Sequence, residues 1–293
     1  MRSRPAAAAL MTTVLVAAAS PAQAISSDNS FPAPERTEVG ALVAQWDSDR
    51  DPATPDRVDW VCSGTMISVD VFLTAAHCVT DWPEGVRLGV SLEEDVEGAL
   101  QVERSDGLEG DALFDAVAVE GTPHWAPGYP GTGADSRDIG VLELDPEEAA
   151  DLASRSEEFE PATLPTEGQL SELGSRALDA ATWTVVGYGT HEAQRGPGGH
   201  TFPGGGERRQ AELDFNALTK TWVRLSMIEA RGLGGACYGD SGGPNFVELD
   251  GELVLASITV TGDVPCYATN DTYRTDTRQA RTFLEGFVDL PER

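Results

Sequence analysis

Short apolar runs, each closed by Gly, Pro, Asp or Ser, recur along nearly the whole chain, and that rhythm admits little besides an antiparallel β protein. In the first half, runs at 39–44, 63–68, 71–73, 86–90, 100–102, 117–120 and 139–144 read as strands, with a tight Val69-Asp70 turn between the second and third. Runs at 182–186, 221–227, 243–247, 253–259 and 267–273 continue the pattern in the second half. Strands this short, at this spacing, form sandwiches or barrels. With 293 residues the chain is long enough for one large domain or two small ones, and 31 Gly and 18 Pro supply the turns.

Two stretches break the β rhythm. Asp145-Pro146-Glu147-Glu148 starts a helix, with an acid at the N-cap, Pro at the first helical position and acids in the first turn; it should run to about 154. Near the end, Ala280, Phe283, Leu284, Phe287 and Val288 fall at i, i+3, i+4, i+7 and i+8, one face of a helix capped by Thr275 or Asp276. Residues 121–137, carrying His124 and Trp125, and 190–206 read as Gly/Pro-rich loops; His124, His191 and His200 read as surface residues in loops, and 155–176 as a connector between two halves.

The first residues look like an export signal. Arg2 and Arg4 precede an apolar run at 6–19, and Ala22-Gln23-Ala24 is a small-x-small cleavage site, so 1–24 is removed and 25–38 is a loose leader. That apolar run is too short to cross a bilayer as a helix. Net charge is −29, and removal of Arg2 and Arg4 takes it to −31. Such an acid excess argues against non-specific binding to nucleic acid or to anionic membranes, both of which reward Lys and Arg. In an exported chain Cys62, Cys78, Cys237 and Cys266 suggest two disulfides, and three pairings are open. No C-x-x-C occurs and the four histidines are scattered, so no metal site is expected. Glu93-Glu94-Asp95 with Glu97 is a carboxylate cluster of the kind that binds calcium or simply faces water.

The chemistry centres on Gly239-Asp240-Ser241-Gly242-Gly243-Pro244. Glycines beside a serine let the backbone turn sharply and present both the hydroxyl and nearby N–H groups to a substrate. A serine hydroxyl is a poor nucleophile at neutral pH; it needs a base, and the base needs a third group to fix its tautomer. His77 at a strand end beside Cys78 supplies the base, and Asp138 before the run at 139–144 supplies the acid, with Asp135 as its rival.

Together these residues resemble those of the trypsin- and chymotrypsin-like serine peptidases. Thr74-Ala75-Ala76-His77-Cys78 resembles the family's histidine motif, Asp138-Ile139-Gly140-Val141-Leu142 its aspartate motif, and Gly239 to Pro244 its serine motif, in the family's order. Trp183-Thr184-Val185-Val186-Gly187-Tyr188-Gly189 resembles the first strand of its second barrel. The resemblance implies an all-β fold of two antiparallel six-stranded barrels with a C-terminal helix: a peptidase domain over 39–293, with the first barrel at about 39–155, the second at about 176–275 and the helix at about 276–290. It implies His77, Asp138 and Ser241 as the catalytic residues, Gly239 and Ser241 as the oxyanion hole, and Cys62–Cys78 and Cys237–Cys266 as the disulfides. It further implies protein or peptide substrates, no cofactor and a monomer.

Two departures from the family pattern stand out. Relatives made as zymogens free an N-terminal ammonium that pairs with the acid before the serine, here Asp240. The matching stretch is read as Glu38-Val39-Gly40-Ala41, which offers no small apolar start, so Asp240 is expected to be satisfied in another way or activation to be unconventional. The second departure is the specificity pocket, assigned to Gly235, Ala236, Ser257, Thr259 and Asp271. Gly235 stands where trypsin has an acid, and Ser257-Ile258-Thr259 is read as the substrate-pairing segment, with Thr259 narrowing the mouth. This favours a small or medium apolar side chain before the cut, unless Asp271 reaches the floor and favours Arg or Lys. A catalytically silent binding protein of the same fold and an ester hydrolase are the competing functions.

Overall fold

The structure, a computed structural model, describes residues 29–49, 54, 56–156 and 158–292. The expected signal at 1–24 and residues 25–28 of the leader lie outside the described residues.

The first half builds one closed barrel. Its strands are β2 (Val39–Trp46), β3 (Arg57–Met66), β4 (Val71–Thr74), β5 (Arg87–Ser91), β6 (Val119–Trp125) and β7 (Gly140–Leu144), preceded by the two-residue β1 (Phe31–Pro32). The order round the barrel is β2-β3-β4-β7-β6-β5, all antiparallel. Val43, Phe72, Leu73, Val90, Val141 and Leu142 in its strands are fully buried. Between strands stand α1 (Ala76–Val79), α2 (Val96–Ser105) and α3 (Gly110–Val117); α4 (Pro146–Ala153) follows β7.

The second half is α5 (Gln169–Ala180), then β8 (Trp183–Gly187), the hairpin β9 (Gln194–Gly196) and β10 (Gly199–Thr201), β11 (Arg209–Leu218), β12 (Trp222–Ser226), β13 (Pro244–Leu249), β14 (Glu252–Gly262), β15 (Thr269–Arg274) and finally α6 (Arg278–Leu284). Strands β11-β12-β15-β14-β13-β8 form a sheet that closes on itself through β8–β11 pairing, and β1 adds to the outside of β11. Trp183, Val185, Ala211, Leu225, Val247 and Ala256 line its core. The expected two-barrel fold with a C-terminal helix is the fold observed. Among the described residues no helix is long and apolar enough to cross a membrane.

Several local expectations need correction. The run at 100–102 is not a strand but part of α2: Asp95 caps that helix by accepting from Gly98 N at 2.7 Å, and Val102 turns to solvent. Residues 121–125 belong to β6, so His124 sits in a strand, its Nε2 3.2 Å from Glu143 Oε2. The connector holds α5, which bends at Gly174 (φ 72), and His200 sits in β10. The C-terminal helix is capped by Thr277, whose Oγ1 accepts from Ala280 N at 3.1 Å. Asp276 instead binds Leu170 N at the start of α5 and pairs with buried Arg274 at 2.8 Å.

The described part of the leader is not loose. Ala33 and Ser30 are buried. Arg208 donates to Ala33 O, Val39 O and Leu92 O, and Arg209 donates to Ser30 O at 2.6 Å. These buried guanidiniums have no water to turn to, so they take carbonyls instead. Two adjacent arginines thereby rivet the segment before β2 across the junction of the barrels.

Candidate active site

His77 sits in α1, a single helical turn entered from β4 and fixed by the disulfide between Cys62 and Cys78. Asp138 immediately precedes Ile139 and β7, the strand that pairs with β4, so the register Thr74–Gly140 carries the two residues to one end of the barrel. Asp138 is 5% exposed. Its Oδ1 accepts from the backbone N–H of His77 and its Oδ2 lies 2.9 Å from Nδ1 of the same residue. This leaves Nε2 as the nitrogen able to exchange a proton with a substrate or nucleophile. Asp135, the rival acid, is turned elsewhere: its Oδ1 accepts from Tyr273 O–H at 2.9 Å.

Ser241 comes from the other barrel. Ser63 N donates to Ser241 O at 2.9 Å, Cys78 Sγ lies 3.7 Å from that oxygen, and one His77 nitrogen lies within 4.8 Å of the sulfurs of Cys62 and Cys78. Those sulfurs are bonded to each other and offer no thiolate to a metal. The disulfide is thus the hinge point where the histidine and serine loops meet. The Oγ of Ser241 makes no hydrogen bond to His77 or to another described residue; such bonds are often long in free enzymes and tighten with substrate.

The serine loop is shaped around Asp240. This carboxylate is fully buried; Oδ1 accepts from Gly189 N and Oδ2 from Cys237 N, both at 2.8 Å. A side chain at Gly189 would run into the Asp240 carboxylate, which accounts for glycine after Tyr188. Burial, opposed by the two N–H bonds, pushes the Asp240 carboxyl up to about 7. Gly239 adopts φ 97, a region that favours glycine, and its carbonyl accepts from Ser63 Oγ at 2.9 Å. With that carbonyl held away, the N–H groups of Gly239 and Ser241 are left without a partner among the described residues. A disulfide between Cys237 and Cys266 braces the loop.

A cavity of about 190 Å³ opens beside Ser241, lined by Ala236, Thr259, Val260, Thr261, Gly262 and Asn270 among others. Of the residues assigned to the pocket from sequence, Ala236 and Thr259 line it. Gly235 does not; it is packed against the Met227 side chain. Ser257 is buried in the wall, accepting from Thr272 Oγ1 at 2.7 Å. Asp271 points to the opposite side of β15, where it grips Arg224 Nε at 2.6 Å. Of β14, residues 259–262 line the cavity and Ser257 does not. Sequence reading also missed Asp263, a carboxylate of the lining whose oxygens accept from Tyr267, Ala268 and Thr269 N–H groups.

Within 38–41, Val39 is fully buried and paired with Thr65 in the first barrel wall. The carboxylates at 93–97 do not converge. Asp95 caps α2, Glu97 accepts from Trp60 Nε1, and Glu93 lies 3.7 Å from Arg155.

The family model described as Trypsin matches residues 49–281. The chain belongs to the trypsin family. Among curated relatives, this trypsin-family chain is 29% identical over 242 residues to mouse (Mus musculus) vitamin K-dependent protein C, covering 79% of this chain and 47% of that protein. It is 28% identical over 231 residues to melanization protease 1 of Drosophila melanogaster, covering 70% of this chain and 52% of that protein. The chain thus spans about half the length of the curated relatives it matches. Its two disulfides are in keeping with an oxidising compartment.

Proposed function

We propose that the protein is a secreted serine endopeptidase in which Ser241, His77 and Asp138 act as a triad. Ser241 Oγ attacks the scissile carbonyl carbon, and His77 Nε2 takes the hydroxyl proton. As the C–N bond breaks, the same nitrogen returns the proton to the leaving amine, and an acyl-enzyme remains on Ser241. Water, activated by His77, then hydrolyses the ester. Asp138 orients the ring and stabilises its charged form. The N–H groups of Gly239 and Ser241 bind the oxyanion; one such donor contributes about 3–4 kcal/mol to lowering the barrier.

The observation that carries this reading is the two-point bond between Asp138 and His77, placed across one disulfide from a serine held on a positive-φ loop. An uncharged side chain of small or medium size before the cut fits the cavity, because Asp271 is paired to Arg224 outside it and the Asp263 oxygens are already taken. The silent-binder reading draws on the absent bond between Ser241 Oγ and His77. Incubating the purified chain with a peptide library separates the two. Cleavage that Ser241→Ala abolishes supports the endopeptidase; an intact library with folded protein supports the binder.

A further inference from the structure

A second, larger cavity shares no lining residue with the pocket beside Ser241. It has a volume of about 790 Å³ and opens to solvent between the end of β6 and the C-terminal helix. That volume falls in the range of sites that take small organic ligands, roughly 300–1,000 Å³. The walls are apolar and aromatic. Trp125 and Pro127 form one side; Phe283 and Phe287, edge to face with ring centroids 5.2 Å apart, form the other. Trp125 is 45% exposed, so its ring is open to a ligand.

Charge picks out the ligand class. The chain has 49 acids and 20 basic residues, yet the lining holds Arg137, Arg278 and His124 and not one carboxylate. Arg137 donates from Nη1 to Pro127 O at 2.7 Å, with Nε 3.9 Å from Asp135, and Arg278 meets Glu167 at 3.3 Å. Each guanidinium carries five N–H donors, more than these partners use. Guanidiniums flanking aromatic walls match a molecule with a flat apolar body and one anionic head.

We propose that this cavity is a binding site for an organic anion with an aromatic-sized apolar body, its anionic head held by Arg137 and Arg278 and its body against Trp125, Phe283 and Phe287. The site is independent of the peptidase reading and needs no reaction at Ser241.

Fluorescence titration of the full chain with 8-anilinonaphthalene-1-sulfonate tests it, alongside N-phenyl-1-naphthylamine, which has the same rings and no charge. One saturable sulfonate site is expected, weakened at least tenfold in the Arg137→Gln/Arg278→Gln double variant, while the neutral probe changes by less than about twofold. Trp125→Ala, an exposed position that should not threaten folding, weakens both. Blocking Ser241 with a fluorophosphonate leaves binding unchanged. The proposal is overturned if the sulfonate does not saturate, if the arginine variant binds it like the parent, or if the Ser241 adduct removes binding. A concentration-dependent doubling of mass that excludes the probe would assign this face to a second copy and overturn it too.

Discussion

Asp138 takes both N–H positions that His77 can offer on one side, Oδ1 from the main chain and Oδ2 facing Nδ1, each at 2.9 Å. One carboxylate therefore fixes where the backbone turn sits and which way the ring faces. An amide in its place keeps the shape but can present N–H to Nδ1 and so favour the wrong tautomer. For Asp138→Asn we expect kcat/KM to drop about ten-thousandfold with the folded structure retained. Peptide hydrolysis and far-UV circular dichroism on the same sample check this; a drop of less than tenfold would mean that the carboxylate is not orienting a working base.

The Asp240 carboxyl, pushed up to about 7 by burial, links folding to pH. The unfolded chain loses this proton near 3.9, while the folded chain keeps it to about 7. Between those values the folded state binds more protons, so the stability this group contributes is fully present below about pH 4 and is lost as pH rises to about 7. The full loss is about 4 kcal/mol. Urea unfolding of the Ser241→Ala chain, which cannot digest itself, should show this slope, and adding Asp240→Asn should remove it. Equal slopes in the two proteins would contradict the assignment.

An ammonium docked on Asp240 would replace the proton and flatten the same slope. Cleavage after Ala24 frees an ammonium on Ile25, only four residues before Asn29, whose amide already donates to Leu233 O at 2.9 Å near the serine loop. Mass spectrometry of active protein should therefore find Ile25 first, and acetylating that amine should lower activity. A first residue at Val39 would contradict this, since Val39 belongs to the barrel wall.

Because Asp271 is spent on Arg224, it should not shape the choice of substrate. Asp271→Asn is expected to leave the cleavage profile unchanged, with uncharged residues preferred before the cut. A profile dominated by Arg and Lys in the parent, lost in Asp271→Asn, would reverse the reading of the pocket.

The parts that the sequence disclosed are those written in local signals. His77, Asp138 and Ser241 each stand at the end of a recognisable strand or glycine turn, and Asp145 caps α4 where its Pro and acids place it. What stayed hidden depends on contacts between distant segments. Arg208 looks like one more surface cation until the fold buries it among three carbonyls. Phe31 and Pro32 look like leader until β11 pairs with them. That residues 260–262 line the cavity stayed hidden because β14 carries a bulge between Thr259 and Thr261 that no alternation of side chains reveals. Leu100 misled because an isolated apolar residue fits a strand or a helix equally, and the Asp95 cap decided between them.

Labelling with a fluorophosphonate probe decides whether Ser241 is a working nucleophile, because only a serine activated by a neighbouring base reacts with it at a useful rate. One adduct per chain is expected, on Ser241, lost in His77→Ala. A folded parent chain that stays unlabelled, or a label that persists in His77→Ala at an undiminished rate, would contradict it.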